Sequence, residues 1–334
     1  MIFYMKSVLL ISLTVSCGLF AQLNLEPVTA GSSYVLPTGF SVAPGQLLTL
    51  IVQGILLNPA TDTQIVRAPA GANLPTTLAG LSVSFGQSVG RSAPILEMHP
   101  FFTCQEVATF QITCGFLVAL TIQIPYEAQS ELPIPPPSAA GIAGGQIYVF
   151  QNGTGTENDV VVLSDQVHII TSCDIFMNSS LIYAGNGTGL PCPSTVTHAD
   201  GSLVSATNPA KAGEELIAYA VGLGQTNPAS VTGQLVTHSA PTLTVFALDY
   251  NYHPNALPSR PLPTGSQPVF AGTTPGYVGL YQVNFVVPPV PAGTPPCMDT
   301  STLFPPYNVV QSNLTVSVGG QFSFDGARIC VATQ

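Results

Sequence analysis

Six cysteines carry the clearest chemistry in this sequence: Cys104, Cys114, Cys173, Cys192, Cys297 and Cys330. An even number of cysteines in an exported chain indicates disulfides, although six cysteines allow many pairings. We predict that they pair in sequence order, because each bond then closes a loop inside one domain. No two have the CxxC spacing, and no histidine lies near enough in sequence to complete a zinc site. We therefore expect neither a metal nor another cofactor.

A serine nucleophile is the second chemistry that the residue types suggest. Gly86-Gln87-Ser88-Val89-Gly90 matches the G-x-S-x-G pattern of α/β-hydrolases. That motif works only where a strand turns sharply into a helix, and Arg91 to Pro94 show no helical periodicity. The sequence therefore predicts a surface hairpin turn at Ser88 and no catalytic residue.

The histidines and the acidic residues give weaker signals. The five histidines are isolated from one another and from any serine or cysteine, so we expect them in loops or on strand surfaces: His99, His168, His198, His238 and His253. Glu157, Asp159 and Asp165 could offer oxygens to calcium, but they lack a D-x-D-x-D-G loop, which favours a solvated acidic turn. Four sequons predict further surface turns, at Asn152, Asn178, Asn186 and Asn313.

The N-terminal residues MIFYMKSVLLISLTVSCGLFAQ have the pattern of a secretory signal peptide. Lys6 precedes an apolar run from Val8 to Val15, and small residues follow. We predict cleavage near Ala21 and a secreted or cell-surface protein. The alternative is lipid attachment at Cys17, because the three residues before it loosely resemble a lipobox. No later stretch is long and apolar enough for a transmembrane helix.

The composition indicates a folded β protein with a polar, weakly charged surface. Apolar residues make up 46% of the chain, while glycine and proline, 31 of each, interrupt nearly every window of helical length. Only 7% of the residues are charged, and the net charge is −10. With six lysines and arginines scattered along the chain, nucleic acid would find no basic patch, and anionic lipid is disfavoured for the same reason.

A repeated strand pattern organises the chain. Tyr281, Val283, Phe285 and Val287 fall on one face of an extended segment, and Leu216 to Val221 is apolar at every position. An earlier copy aligns Leu47 to Val52 with Glu215 to Ala220, and Val118 to Ile124 with Tyr281 to Val287. Two dipeptides suited to type I′ turns, Asn152-Gly153 and Gly319-Gly320, are separated by nearly the same length of chain as these segments. Three such pairs in one order and at nearly one spacing predict a duplicated β domain.

Several blocks of sequence resemble an uncharacterised C-terminal domain family of Solibacter-type secreted proteins. The blocks NPAKAGEEL, YAVGLGQTNP and PGYVGLYQVNFVVP carry the resemblance in the second half, and APGQLLTLIVQGI, LPTTLAGLSVSF, APILEMHP and IQIPYE carry it in the first. It covers the chain from about Ala30 to the C-terminus. The resemblance implies tandem immunoglobulin-like sandwiches of the IPT/TIG kind on an exported protein, and no activity. The chain departs from the family in a Pro-rich insertion, Leu132 to Pro137, a long excursion, Asp249 to Gln267, and its cysteines.

Together these observations predict an all-β protein with two tandem immunoglobulin-like β-sandwiches after a signal peptide at residues 1–21. The predicted domains are residues 22–172 and residues 173–334. The expected role is that of an exported, non-enzymatic surface or matrix protein that binds a polymer such as a glycan, or another protein, through its loops. A secreted hydrolase, a calcium-dependent binder using the Asp249 to Gln267 loop, and a purely structural module are the alternatives.

Overall fold

A computed structural model describes residues 24–27, 40–57, 64–108, 111–130, 144–172, 174, 192–299 and 310–333. The predicted signal peptide with Cys17 and Ala21, the Pro-rich segment, Cys173, Asn178 and Asn186 lie outside the described residues. Every regular element in the described part of the chain is a β-strand, which confirms the all-β class. None of its elements is a helix long and apolar enough to cross a membrane.

Residues 24–162, here called the first half, form two sheets. One has the order β1-β3-β9-β8-β4; the other has the order β2-β11-β10-β6-β5, with β7 paired to β6. The strands are β1 (Asn24–Pro27), β2 (Ser41–Val42), β3 (Leu47–Gln53), β4 (Val66–Arg67), β5 (Thr77–Leu78), β6 (Leu81–Gly86), β7 (Arg91–Ser92), β8 (Ile95–Ala108), β9 (Gln111–Gln123), β10 (Gly144–Gln151) and β11 (Thr154–Val162).

Residues 192–333, the second half, form three sheets together with a strand from the connecting segment, residues 163–174. Their orders are β12-β14-β17-β16 with β13 beside β14, β15-β20-β21, and β18-β19. The strands are β12 (His168–Ile169), β13 (Val196–Thr197), β14 (Glu215–Val221), β15 (Ala247–Asn251), β16 (Phe270–Thr273), β17 (Tyr281–Val286), β18 (Met298–Asp299), β19 (Val310–Gln311), β20 (Leu314–Gly319) and β21 (Phe324–Ile329).

Each half has its own apolar interior between its sheets, in a β-sandwich-like arrangement. Leu120 of the first core and Val283 of the second are completely buried, as the period-two pattern predicts. The residues predicted to share one face of β17 are likewise buried, while Gln282 and Asn284 between them are only partly so. The alternation in the sequence therefore identifies the core face of these strands.

The same two aligned segments pair with each other in each half of the chain. β3 pairs antiparallel with β9, with Leu50 opposite Leu120, and β14 pairs antiparallel with β17, with Ala218 opposite Val283. The alignment of the two copies places Leu50 on Ala218 and Leu120 on Val283. The repeat therefore preserves the register of the pair as well as its apolar pattern.

The two predicted hairpin turns have different outcomes. Asn152 and Gly153 both have positive φ angles, 51° and 80°, and join Gln151 to its partner Thr154, which confirms the two-residue turn. The type I′ turn predicted at Gly319-Gly320 is wrong. Gly319 pairs with Phe324, and the residues between them form a longer loop whose conformation depends on a distant carboxylate, described below.

The connecting segment passes close to Gly222 and Gly224, the two glycines of the YAVGLGQTNP block. A Cβ atom on Gly222 would lie 1.9 Å from the carbonyl oxygen of Gln166, and one on Gly224 would lie 2.0 Å from that of Ser164. Gln166 also donates its backbone N–H to the Gly222 oxygen at 2.8 Å. Glycine is required at both positions because any side chain would displace the crossing backbone.

The two halves share buried contacts. Tyr126, which follows β9 in the first half, belongs to the apolar core of the second half. Its backbone N–H bonds to Thr232 Oγ1 at 2.9 Å, and its carbonyl accepts a hydrogen bond from the Gln225 side chain at 3.1 Å. Gln123 accepts a further hydrogen bond from the Gly233 backbone at 2.7 Å. The two halves are therefore joined by specific polar contacts around an apolar centre.

Candidate functional site

Aromatic and core side chains alternate along β10, which lies in the middle of the six-stranded sheet. Ile147 and Val149 are completely buried in the first core. Tyr148 and Phe150, which each follow one of these residues, point to the opposite face because side chains alternate along a strand, and Phe150 is 37% exposed. The outer face of this sheet therefore has Tyr148 and Phe150 on its central strand. We call this pair the aromatic face.

The two rings of the aromatic face lie almost parallel. Their centroids are 6.2 Å apart and their planes differ by 12°. A Cβ atom on Gly155 would lie 2.6 Å from the Phe150 ring, and one on Gly86 would lie 3.0 Å from the Tyr148 ring. Each ring thus lies close over a glycine of a neighbouring strand, where a larger residue would push it away from the sheet.

Polar residues flank the aromatic face in two rows. On β11, Glu157 lies opposite Tyr148, and Asp159 lies opposite Gln146. On β6, Ser84 lies opposite Tyr148 and Ser82 opposite Phe150. Residues directly opposite each other in an antiparallel pair point to the same side of the sheet. Tyr148 is therefore bordered by the Glu157 carboxylate and the Ser84 hydroxyl, while Phe150 is bordered by Gly155 and the Ser82 hydroxyl.

A chain of hydrogen bonds fixes part of this surface. The Tyr148 hydroxyl donates to Gln146 Oε1, and the Gln146 side-chain amide donates to Asp159 Oδ1 at 3.0 Å. Desolvation and the nearby Glu157 carboxylate raise the pKa of Tyr148. The phenol therefore remains protonated near neutral pH and can act as the donor in this chain.

A shallow depression of about 310 Å³ is lined by His198 and by residues of the NPAKAGEE block, which begins at Asn208. His198 Nδ1 lies 2.5 Å from a Glu214 carboxylate oxygen, and Nε2 lies 3.2 Å from the Asn208 carbonyl oxygen. Both partners can only accept, so both ring nitrogens carry hydrogen. Burial lowers the pKa of His198, but the hydrogen bonds to Glu214 and Asn208, together with the charges of Glu214 and Asp200, raise it by more, so the net shift is upward. The polar groups that line this depression hydrogen-bond to one another, so the NPAKAGEE block has a structural role.

His168 forms a second pair of ionic contacts, between the connecting segment and the last hairpin. Its Nε2 lies 3.0 Å from Asp174 and its Nδ1 lies 3.1 Å from Asp325. Burial lowers the pKa of His168, but the charges and hydrogen bonds of the two carboxylates raise it to about 10. The imidazolium is therefore held between two anions, an arrangement that stabilises the fold and leaves no free base for catalysis.

Asp165 is completely buried and shapes the loop between β20 and β21. Its carboxylate accepts the backbone N–H groups of three successive residues, Gln321, Phe322 and Ser323, together with the Ser323 hydroxyl. The sequence predicted a solvated turn at Asp165, and this prediction is wrong because the residue is buried. Glu157 and Asp159 lie on β11 and take no part in these contacts. The described residues contain no cluster of three or more potential metal ligands.

Ser88 lies in the exposed loop of the hairpin formed by β6 and β7, with Phe85 opposite Arg91. The predicted hairpin turn is therefore confirmed, and the strand-to-helix geometry that a hydrolase serine needs is not present there. Of the remaining histidines, His238 contacts Thr237, and His253 contacts Asn251. His99 is buried on β8, where burial, followed by the charge of Arg67, lowers its pKa.

The excursion from Asp249 to Gln267 packs along the last hairpin. Pro258 lies where a side chain on Gly326 would be, and Pro261 lies where one on Gly319 would be. The Thr315 hydroxyl donates to the Ala256 carbonyl at 2.8 Å, and Ser259 donates its N–H to the Ser317 hydroxyl at 3.1 Å. The excursion therefore covers the sheet surface.

The cysteine predictions are confirmed in one case. Cys297 and Cys330 form a disulfide with a Cα–Cα distance of 5.3 Å. Cys192 is disulfide-bonded as well, while its predicted partner Cys173 lies outside the described residues. Cys104 and Cys114 lie directly opposite each other in the β8–β9 register, and the bond between them stays a prediction.

The sequon at Asn313 does not mark a surface turn. Asn313 is completely buried, donates from its amide to the carbonyl oxygens of Pro295 and Val331, and accepts the Val331 N–H at 2.8 Å. Asn152, in contrast, lies in an exposed turn as predicted. The sequon pattern alone does not separate these two environments.

No family model matches this chain, and no curated protein matches it either. Sequence reasoning also missed the aromatic face. The signal that could have found it is the segment GGQIYVFQ, in which Gln146, Tyr148 and Phe150 occupy the face opposite to Ile147 and Val149. The same period-two pattern fits aromatic residues on either face, so the sequence could not decide which set was buried.

Proposed function

We propose that this chain is an exported, non-enzymatic protein of two immunoglobulin-like sandwiches that binds an extracellular polymer with the aromatic face. The observation that carries the proposal is the parallel pair of Tyr148 and Phe150 over Gly86 and Gly155, bordered by polar side chains. Exposed aromatic rings next to hydrogen-bonding groups are typical of binding surfaces, because they present apolar area and polar contacts together.

The compartment and fold parts of this proposal have separate support. The Cys297–Cys330 disulfide and the bonded Cys192 favour an oxidising environment, which agrees with the signal-peptide pattern at the N-terminus. The matching registers of β3 with β9 and β14 with β17 favour a duplicated sandwich. His168 and His198, which could serve as bases, are committed to ion pairs, which favours binding over catalysis.

The test is a binding screen of the chain from residue 22 onward against polysaccharides and surface proteins, comparing the wild type with Phe150→Ala. We expect at least one extracellular polymer to be retained by the wild type and bound about tenfold more weakly by the variant, a loss of about 1.4 kcal/mol. Val89→Ala is the matched control, because Val89 is 62% exposed on the nearby hairpin but lies outside the aromatic face. Equal binding by wild type and Phe150→Ala would contradict the proposal.

A further inference from the structure

We infer that the aromatic face takes a neutral polysaccharide, an inference that rests on the proposed function and names its ligand class. Each ring lies close over a glycine, and the two planes differ by only 12°. Such a surface matches the flat C–H face of a pyranose ring, which packs on an aromatic plane without a hydrogen-bonding partner.

The aromatic face extends across β10. Tyr148 and Phe150 are separated by one residue on this strand, and their rings lie over Gly86 on β6 and Gly155 on β11, the strands at its two sides. The ring centroids are 6.2 Å apart, so a polymer on this face can contact both rings at once.

Polar side chains lie on both sides of β10. Glu157 and Asp159 are on β11, and Ser82 and Ser84 are on β6. Hydroxyl groups at both edges of a sugar chain would thus meet acceptors on one side and hydroxyls on the other. A partner with hydroxyls along both edges fits this surface better than an apolar protein patch does.

The charges near the aromatic face are negative. The Glu157 carboxylate lies opposite Tyr148 and Asp159 lies opposite Gln146, whereas the nearest arginine in this sheet, Arg91, lies on β7 at the far side of β6. The chain as a whole has a net charge of −10. A polysaccharide with uronate or sulfate groups would be repelled by both, so the ligand is a neutral polymer.

The experiment measures retention of the full mature chain by insoluble cellulose, chitin and mannan, and by immobilised alginate and polygalacturonate. We expect binding to at least one neutral polymer, no binding to the two anionic ones, and a loss of about tenfold or more in Phe150→Ala. Phe150→Leu keeps an apolar side chain over Gly155 but removes the planar ring. It should fold like the wild type and bind as weakly as Phe150→Ala.

A charge variant provides the second readout. Glu157→Lys should acquire binding to alginate at low salt and lose that binding as salt is added. Full binding by Phe150→Leu, or stronger retention of the wild type on anionic than on neutral polymers, would overturn the neutral-polysaccharide inference. If Phe150→Ala loses only an anionic polymer or a surface protein, the inference fails while the proposed function stands. If no polymer is bound by the wild type, both fail.

Discussion

The hydroxyl oxygen of Tyr281 lies 2.6 Å from the position that a Cβ atom on Gly45 would occupy. The two residues belong to different halves of the chain, and the same hydroxyl donates a hydrogen bond to the Gly224 carbonyl at 2.6 Å. A Cβ on Gly45 would also lie 2.2 Å from the ring of Tyr126. The absence of a side chain at Gly45 thus lets two buried tyrosines meet at the junction of the halves.

Gly45→Ala should therefore destabilise the fold strongly. The residue has a φ of +75°, which costs an L-residue about 1 to 2 kcal/mol, and the overlap with Tyr126 adds about 1 to 3 kcal/mol. We expect urea denaturation to show a loss of about 3 kcal/mol. Gly213→Ala is the matched control, because Gly213 occupies the equivalent position with a φ of +81° and has nothing within 4 Å of its Cβ position. Equal losses in both variants would show that the junction tolerates the added methyl group.

The ion pairs of His168 predict a fold that loses stability in alkaline solution. The pKa of His168 is about 10 in the folded chain and 6.5 ordinarily, so its contribution is complete below about pH 6.5 and is lost as the pH rises towards 10. We expect this loss to be roughly 3 to 5 kcal/mol in the wild type and absent in His168→Gln. The measurement is the free energy of unfolding at intervals between pH 6 and pH 10. Parallel curves for the two proteins would contradict the assignment, since His198 contributes equally to both.

Asp165→Asn tests the carboxylate that shapes the loop between β20 and β21. An amide has only one acceptor oxygen, and its NH₂ group would face backbone donors, so we expect a loss of about 2 to 3 kcal/mol. Asp200→Asn is the control, because Asp200 is exposed and contacts its neighbour Ser202. Limited proteolysis should cut the Asp165 variant first near Phe322. A variant as stable as the control would show that the loop forms without the carboxylate.

Removal of the Cys297–Cys330 bond should cost about 3 to 4 kcal/mol, because it closes a loop with a sequence separation of 33 residues. The double variant Cys297→Ala/Cys330→Ala should show this loss in chemical denaturation. Mass analysis of the unreduced wild type after alkylation should find no labelled thiol on either residue. Labelling of both cysteines in the folded wild type would contradict the bond.

The sequence predicted the parts of the fold that depend on local pattern. The alternation in Tyr281 to Val287 identified a buried face because a half-buried strand needs only period two, and Asn152-Gly153 identified a turn because both residues accept positive φ. The loop after Gly319 could not be predicted in this way. Its conformation depends on Asp165, which lies in the connecting segment, distant in sequence. No local sequence pattern indicates that contact.

The candidate site was harder to predict than the fold. Gln146, Tyr148 and Phe150 have the same spacing as Ile147 and Val149, and only the packing of β10 between β6 and β11 shows which set is exposed. The pairing of His168 with Asp325 likewise depends on the connecting segment meeting the last hairpin. Both features need tertiary structure, since their partners are distant in sequence.

The place of Tyr126 in the opposite interior limits how the two halves can be rearranged by recombination. A second half without Tyr126 would have a cavity in its apolar core. A first half on its own would expose the apolar ring of Tyr126 to water. We therefore expect a crossover that separates the halves to produce unstable proteins from both pieces.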